Sequence, residues 1–193
     1  MQKPNIKVNT KETNGARTDG LNALTGFLLI FFTGLLGKEL TGSWKMGFLS
    51  LVFAALSPRI FGHAMNNPKD IPFAAGYIMA IYFMLPFIQQ LPKPNWKIIL
   101  GLAGGIAIAF GVRAGGVLLI SYLGLFAGLA YLLKYGIPAI WEKPILLMQS
   151  VGYSLIAVFG GLLVGTLFWP YGILDPLAHT QEAIGGFSKF AYG

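Results

Sequence analysis

Residues 96–133 read WKIILGLAGGIAIAFGVRAGGVLLISYLGLFAGLAYLL, an almost uninterrupted apolar stretch. Its only charged residues are Lys97, at the start, and Arg113, near the middle. The stretch is long enough for two membrane-spanning helices of about 20 residues each. The glycines on both sides of Arg113, within residues 111–116, mark a natural break between two helices. The stretch therefore predicts a helical membrane protein.

The composition of the whole chain points the same way. Of the 193 residues, 55% are hydrophobic and 11% are charged, whereas a soluble domain carries about 25% charged residues to hydrate its surface. The chain has no cysteine, which excludes disulfides and thiolate metal sites. The net charge is +7, and the basic residues lie between apolar runs. This placement favours membrane lipid headgroups, and not nucleic acid, as partners.

Further apolar runs at residues 21–36, 44–60, 71–88 and 145–168 bring the expected number of spans to about six. We therefore expect an all-α polytopic membrane bundle with three parts. These are a polar N-terminal tail at residues 1–20, a transmembrane helical domain at 21–170 and an extramembrane C-terminal tail at 171–193. Glycine pairs at four-residue spacing predict close helix packing. They are Gly101/Gly105, Gly111/Gly115, Gly124/Gly128 and Gly161/Gly165.

The distribution of basic residues predicts the orientation. The loops after spans 1, 3 and 5 hold Lys38, Lys45, Lys93, Lys97, Lys134 and Lys143, and the loops after spans 2 and 4 hold Arg59, Lys69 and Arg113. The positive-inside rule places the lysine-rich loops in the cytoplasm. The basic residues of the N-terminal tail, Lys3, Lys7, Lys11 and Arg17, argue for the opposite orientation.

The most polar internal segment contains candidate functional residues. Residues 57–72 read SPRIFGHAMNNPKDIP and place Arg59, His63, Lys69 and Asp70 at one membrane face. Cations there could bind a phosphate through charge-assisted hydrogen bonds, and the Asp70 carboxylate could bind a divalent metal ion or act as a base. The alternative is that Asp70 is a helix N-cap and that the basic residues extend to the interface.

Arg113 also has two interpretations. An arginine within the membrane is costly and should face a polar cavity or a partner. Alternatively, Arg113 lies at the interface, in the turn between two helices. The C-terminal residues Asp175, His179 and Glu182 are typical of a solvated face.

The segment at 57–72 resembles a signature of the GT-C membrane glycosyltransferases, in particular their bacterial dolichyl-phosphate-mannose-protein mannosyltransferase-like branch. The likeness continues through Pro92-Lys93-Pro94, the GVRAGG stretch at 111–116, FWPY at 168–171 and Asp175-Pro176. It covers the chain from about Arg17 onward and corresponds to the middle portion of such an enzyme. In that family the principal catalytic acid lies in an earlier loop, so the resemblance implies that this acid lies outside the matching portion.

The resemblance implies an enzyme of the bacterial inner membrane that uses a polyprenyl-phosphate-linked sugar at the extracytoplasmic face. Asp70 would be the acidic residue that binds a metal ion or the donor phosphate, and Arg59, His63, Lys69 and Arg113 would contact the substrate. The alternative is a non-catalytic membrane subunit that retains this scaffold within a larger complex. A small transporter is the weakest hypothesis, because the sequence shows no inverted repeat.

Overall fold

A computed structural model of the protein describes residues 10–167, and it describes side chains for residues 20–63 and 67–167. This part of the chain is helical and contains no β-strand, which confirms the all-α prediction. The helices are α1 (Thr10–Thr41), α2 (Trp44–Leu56), α3 (Pro58–Asn66), α4 (Asp70–Gln89), α5 (Trp96–Val112), α6 (Leu118–Tyr135), α7 (Ala139–Glu142) and α8 (Pro144–Leu167), with a 3-10 turn at Ala114–Val117. The tail at 171–193, with Asp175, His179 and Glu182, lies outside the described residues.

Within residues 10–167, four helical segments are long and apolar enough to cross a membrane: Gly20–Thr41, Asp70–Gln89, Ala114–Tyr135 and Pro144–Leu167. Two further apolar helices, α2 and α5, are shorter. The protein is therefore an integral membrane protein built as a helical bundle.

Close contacts at glycines show how the helices run. A Cβ atom at Gly105 on α5 would lie 2.5 Å from the backbone nitrogen of Ala80 on α4, and one at Gly76 would lie 2.6 Å from that of Ala109. The later residue of α5 thus contacts the earlier residue of α4, so the two helices are antiparallel. By the same reasoning α5 and α8 are parallel, because Gly161 meets Ile106 and the later Gly165 meets Ala107.

The helix directions give the bundle two chemically different ends. One end carries the loop between α2 and α4 and the turn between α5 and α6; we call it the Arg113 end. The other end carries the loops after α1, α4 and α6, and we call it the lysine end. Its basic residues are Lys38, Lys45, Lys93, Lys97, Lys134 and Lys143.

Helix α5 is the centre of the bundle. Its side chains Leu102, Ile106 and Ala109 are fully buried, and it packs against both α4 and α8. The glycines at 101, 105, 161 and 165 all lie in close helix contacts, as the four-residue spacing predicts. Gly124 and Gly128 do not, since a Cβ atom at either position would meet nothing within 4 Å. For this pair the packing prediction is wrong, because α6 stands away from its neighbours there.

The predicted run at 44–60 is interrupted in the structure. Helix α2 ends at Leu56, and the backbone of Ser57 is extended (φ −65°, ψ 114°). The Ser57 side chain then accepts a hydrogen bond from the Ile60 backbone N–H at 3.5 Å, and Pro58 occupies the first turn of α3. Both are helix-start signals, so the polar segment expected as a loop instead begins with a helix.

Candidate functional site

The start of α4 is built by Asn67. Its side-chain carbonyl oxygen accepts hydrogen bonds from the backbone N–H groups of Lys69, at 3.2 Å, and Asp70, at 2.9 Å. Asn followed by Pro favours this turn, because the amide side chain bonds to the backbone two residues on. The N-cap residue of α4 is Lys69, whose side chain makes no capping hydrogen bond, and Asp70 is the first residue of the helix. The N-cap interpretation of Asp70 is therefore wrong, and Asn67 stabilises the turn before the helix. The Asp70 carboxylate is left available for other contacts.

Both oxygens of the Asp70 carboxylate have partners. The Asn67 side-chain amide donates to Oδ2 at 2.7 Å, and the Arg113 guanidinium pairs with Oδ1 at 2.8 Å. The carboxylate also lies in the first turn of α4, where the helix dipole favours a negative charge. The structure thus joins two of the candidate residues, Asp70 and Arg113, that lie far apart in the sequence.

Arg113 lies in the turn between α5 and α6. Its backbone is extended (φ −149°, ψ 141°), so it ends α5 and precedes the 3-10 turn. About half of its side chain is exposed, as is that of Asp70 (50% and 52%). Of the two interpretations of Arg113, the structure supports the turn at the end of the bundle. Solvent exposure also means that the ion pair contributes little to stability, at most about 1 kcal/mol.

The other three candidate residues lie at the same end but do not join this pair. Arg59 and His63 on α3 and Lys69 before α4 are exposed, and their side chains form no ion pair or hydrogen bond with any other described side chain. Among the described side chains, the Arg113 end therefore presents three unpaired basic residues and one paired arginine.

The structure shows no cluster of metal-binding side chains around Asp70 among the described residues. Among the described residues, no three His, Cys, Asp or Glu side chains are grouped closely enough to hold a metal ion. The role of Asp70 as a metal ligand or base stays a prediction.

The C-terminal end of α6 makes a hydrogen bond that sequence analysis missed. The Lys134 ammonium group donates a hydrogen bond to the Leu91 backbone oxygen, just beyond α4, at 2.8 Å. It also lies 5.4 Å from the centre of the Tyr135 ring. Charged side chains thus make contacts at both ends of the bundle. The Arg113–Asp70 pair joins the end of α5 to the start of α4, and the Lys134–Leu91 bond joins the end of α6 to the chain just beyond α4. A lysine at the end of a helix is too common for its sequence to reveal this contact.

Apolar clefts lie beside α4. The α4–α6 cleft has a volume of about 580 Å³ and includes Ile81 and Ile88 of α4 with Tyr122 and Leu133 of α6. A second cleft of about 440 Å³, the α1–α4 cleft, includes Phe73, Ile81 and Gly115. Because both clefts include Ile81, they adjoin one another.

Comparison of the chain with family models, with curated proteins and with solved structures gives no match.

Proposed function

We propose that this protein binds the phosphate of a polyprenyl-phosphate-linked sugar at the Arg113 end, as a GT-C-like glycosyltransferase or part of one. The observation that carries the proposal is the Asp70–Arg113 ion pair at the end of an apolar bundle. Asp70 fixes the position of the guanidinium group. Exposed Arg59 and Lys69 add positive charge at the same end.

The chemistry of arginine explains how the pair could hold a phosphate. A guanidinium group has five N–H donors arranged as a planar fork, and Asp70 contacts one of its terminal nitrogens, Nη2. Donors on the remaining nitrogens can bond to phosphate oxygens, and such charge-assisted bonds are about twice as strong as neutral ones. In this arrangement Asp70 positions Arg113, and Arg113 binds the lipid phosphate.

The proposal includes six membrane crossings in a bacterial inner membrane. At about 1.5 Å per residue, α2 is about 20 Å long and α5 about 26 Å, against a hydrocarbon core of about 30 Å. Helix α5 can be short because α4 and α8 cover it. With the lysine end in the cytoplasm, the Arg113 end faces the extracytoplasmic side, where a lipid-linked sugar donor would be met.

A second candidate is a non-catalytic membrane subunit, and one observation favours it. Both Asp70 oxygens already have partners, so neither is free to act as a general base without rearrangement. In this alternative the Arg113 end still binds a lipid phosphate, but no sugar is transferred.

Binding to a polyprenyl-phosphate sugar tests the phosphate site. The full chain in detergent should bind the lipid, and Arg113→Gln should weaken binding by about ten-fold or more, since loss of a charge-assisted contact costs about 1.5–3 kcal/mol. Lys93→Gln, at the lysine end, is the matched control and should bind normally. Equal affinities for wild type and both variants would refute the phosphate site.

Release of polyprenyl phosphate separates the two candidates. An enzyme should release it from the sugar-linked form as the sugar passes to an acceptor hydroxyl or to water, and Asp70→Asn should lower the rate. Binding without release by the wild-type protein supports the non-catalytic subunit.

A further inference from the structure

The α4–α6 cleft is apolar throughout. Its lining includes Ile81, Met84 and Ile88 from α4, and Tyr122, Leu129 and Leu133 from α6. None of its lining residues carries a charge, so a polar or ionic ligand would lose its hydration there without compensation. Its volume of about 580 Å³ is within the range of about 300–1,000 Å³ that is usual for small-molecule sites.

The cleft continues toward the Arg113 end. The adjoining α1–α4 cleft includes Phe73 and Tyr77 on α4 and also Gly115, two residues after Arg113. The Tyr77 ring lies 6.3 Å from the Tyr122 ring on α6, and aromatic contacts extend to Phe73 and Phe126. From Phe73 to Ile88 the two clefts together follow α4 for about 22 Å, at about 1.5 Å per residue. A long apolar path therefore begins beside a cation.

We infer that these adjoining clefts hold the hydrocarbon chain of a membrane lipid whose phosphate lies against Arg113. The inference rests on the proposed function for its phosphate contact and adds the subsite for the chain. Charge complementarity places the anionic headgroup at the Arg113 end, and the apolar lining accounts for the chain below it.

The Lys134–Leu91 bond selects a single hydrocarbon chain over a transmembrane helix as the occupant. A helix with its side chains is about 10–12 Å wide. To lie along the cleft, it would have to separate α4 from α6 and break the 2.8 Å bond between Lys134 and the Leu91 backbone oxygen. A hydrocarbon chain is thinner and can enter from the side of the bundle without breaking this bond.

Photocrosslinking tests the inference on the full chain in phosphatidylcholine vesicles. The probe is phosphatidic acid with a diazirine on one acyl chain, and mass spectrometry locates the labelled residues. Labels should concentrate on Ile81, Met84, Tyr122 and Leu129. Ala130→Phe fills the α4–α6 cleft and should reduce those labels to background. Leu125→Phe, on an exposed part of α6, is the matched control and should leave them unchanged.

The headgroup requires its own comparison. Diacylglycerol with the same diazirine chain should label the clefts less than phosphatidic acid does, and Arg113→Gln should remove the difference between the two lipids. If Ala130→Phe unfolds the protein, as judged by its unfolding midpoint, Ala130→Leu replaces it.

Four results would overturn the inference. Labels could spread evenly over the exposed face of α6, survive in a folded Ala130 variant, or be equal for the two lipids. The fourth is cross-linking of these residues to a second protein chain in place of lipid. Normal phosphatidic acid labelling without polyprenyl-phosphate binding would refute the proposed function alone.

Discussion

Replacing Gly105 with alanine should destabilise the bundle, because the added methyl group has nowhere to go. Its Cβ atom would lie 2.5 Å from the backbone nitrogen of Ala80 and 2.7 Å from its Cα atom. Backbone atoms cannot rotate away as a side chain can, so α4 and α5 must separate by about 1 Å to restore a contact distance of about 3.5–4.0 Å. Gaps of that size remove a quarter to a half of the dispersion energy of the contacts that they open.

Overpacking of this kind costs about 1–3 kcal/mol. In a chain of this size, each kcal/mol of lost stability lowers the unfolding midpoint by about 2–4 °C. The matched control is Gly128→Ala on α6, where the new Cβ atom meets nothing within 4 Å. Because alanine favours a helix over glycine by about 1 kcal/mol, this variant should be as stable as wild type or slightly more stable.

The assay is thermal unfolding of the three proteins in one detergent, followed by circular dichroism. Gly105→Ala should unfold below wild type, and Gly128→Ala at or above it. If Gly105→Ala matches wild type, or if both variants lose stability equally, α4 and α5 do not pack as described.

Three further predictions concern the polar contacts at the two ends of the bundle. Asn67→Ala removes the oxygen that accepts from two backbone N–H groups and should lower the free energy of unfolding by about 1 kcal/mol; an unchanged unfolding midpoint would contradict this role of Asn67 in the turn before α4. Asp70→Asn breaks a half-exposed ion pair and should cost no more than about 1 kcal/mol, so a much larger loss of stability would show that the pair is shielded. Lys134→Met removes the bond to the Leu91 oxygen and should make the amide hydrogens in the last turn of α6 exchange faster, while those in the middle of α5 stay protected; equal exchange in wild type and variant would refute the connection.

Much of the bundle could be predicted because hydrophobic runs and breaks act locally. The break at 111–116 follows from three glycines and a charge within six residues, and the structure ends α5 at Val112, as expected. Helix α3 is not predicted, because a polar segment between two apolar runs favours a loop. The start signal at Ser57 and Pro58 was nevertheless present in the sequence.

The site was harder to predict because it depends on packing between distant segments. The residues at 57–72 are recognisably polar, but nothing in their order shows that Asp70 pairs with Arg113 and not with the nearer Lys69. That choice depends on the antiparallel contact of α4 and α5, which brings the first turn of one beside the end of the other. The turn at Asn67 could be predicted from local sequence, since Asn-Pro is a known turn signal. The α4–α6 cleft could not be predicted, because periodicity does not show how closely two helices approach.

Labelling with a membrane-impermeant maleimide tests the central claim, that the Arg113 end and the lysine end lie on opposite sides of the membrane. The chain contains no cysteine, so each introduced cysteine reports alone. In intact bacterial spheroplasts, Pro68→Cys at the Arg113 end should be labelled at once, and Lys93→Cys at the lysine end only after permeabilisation. Labelling of both variants from the same side would contradict the arrangement of the helices, and labelling of Lys93→Cys alone would place the phosphate site in the cytoplasm.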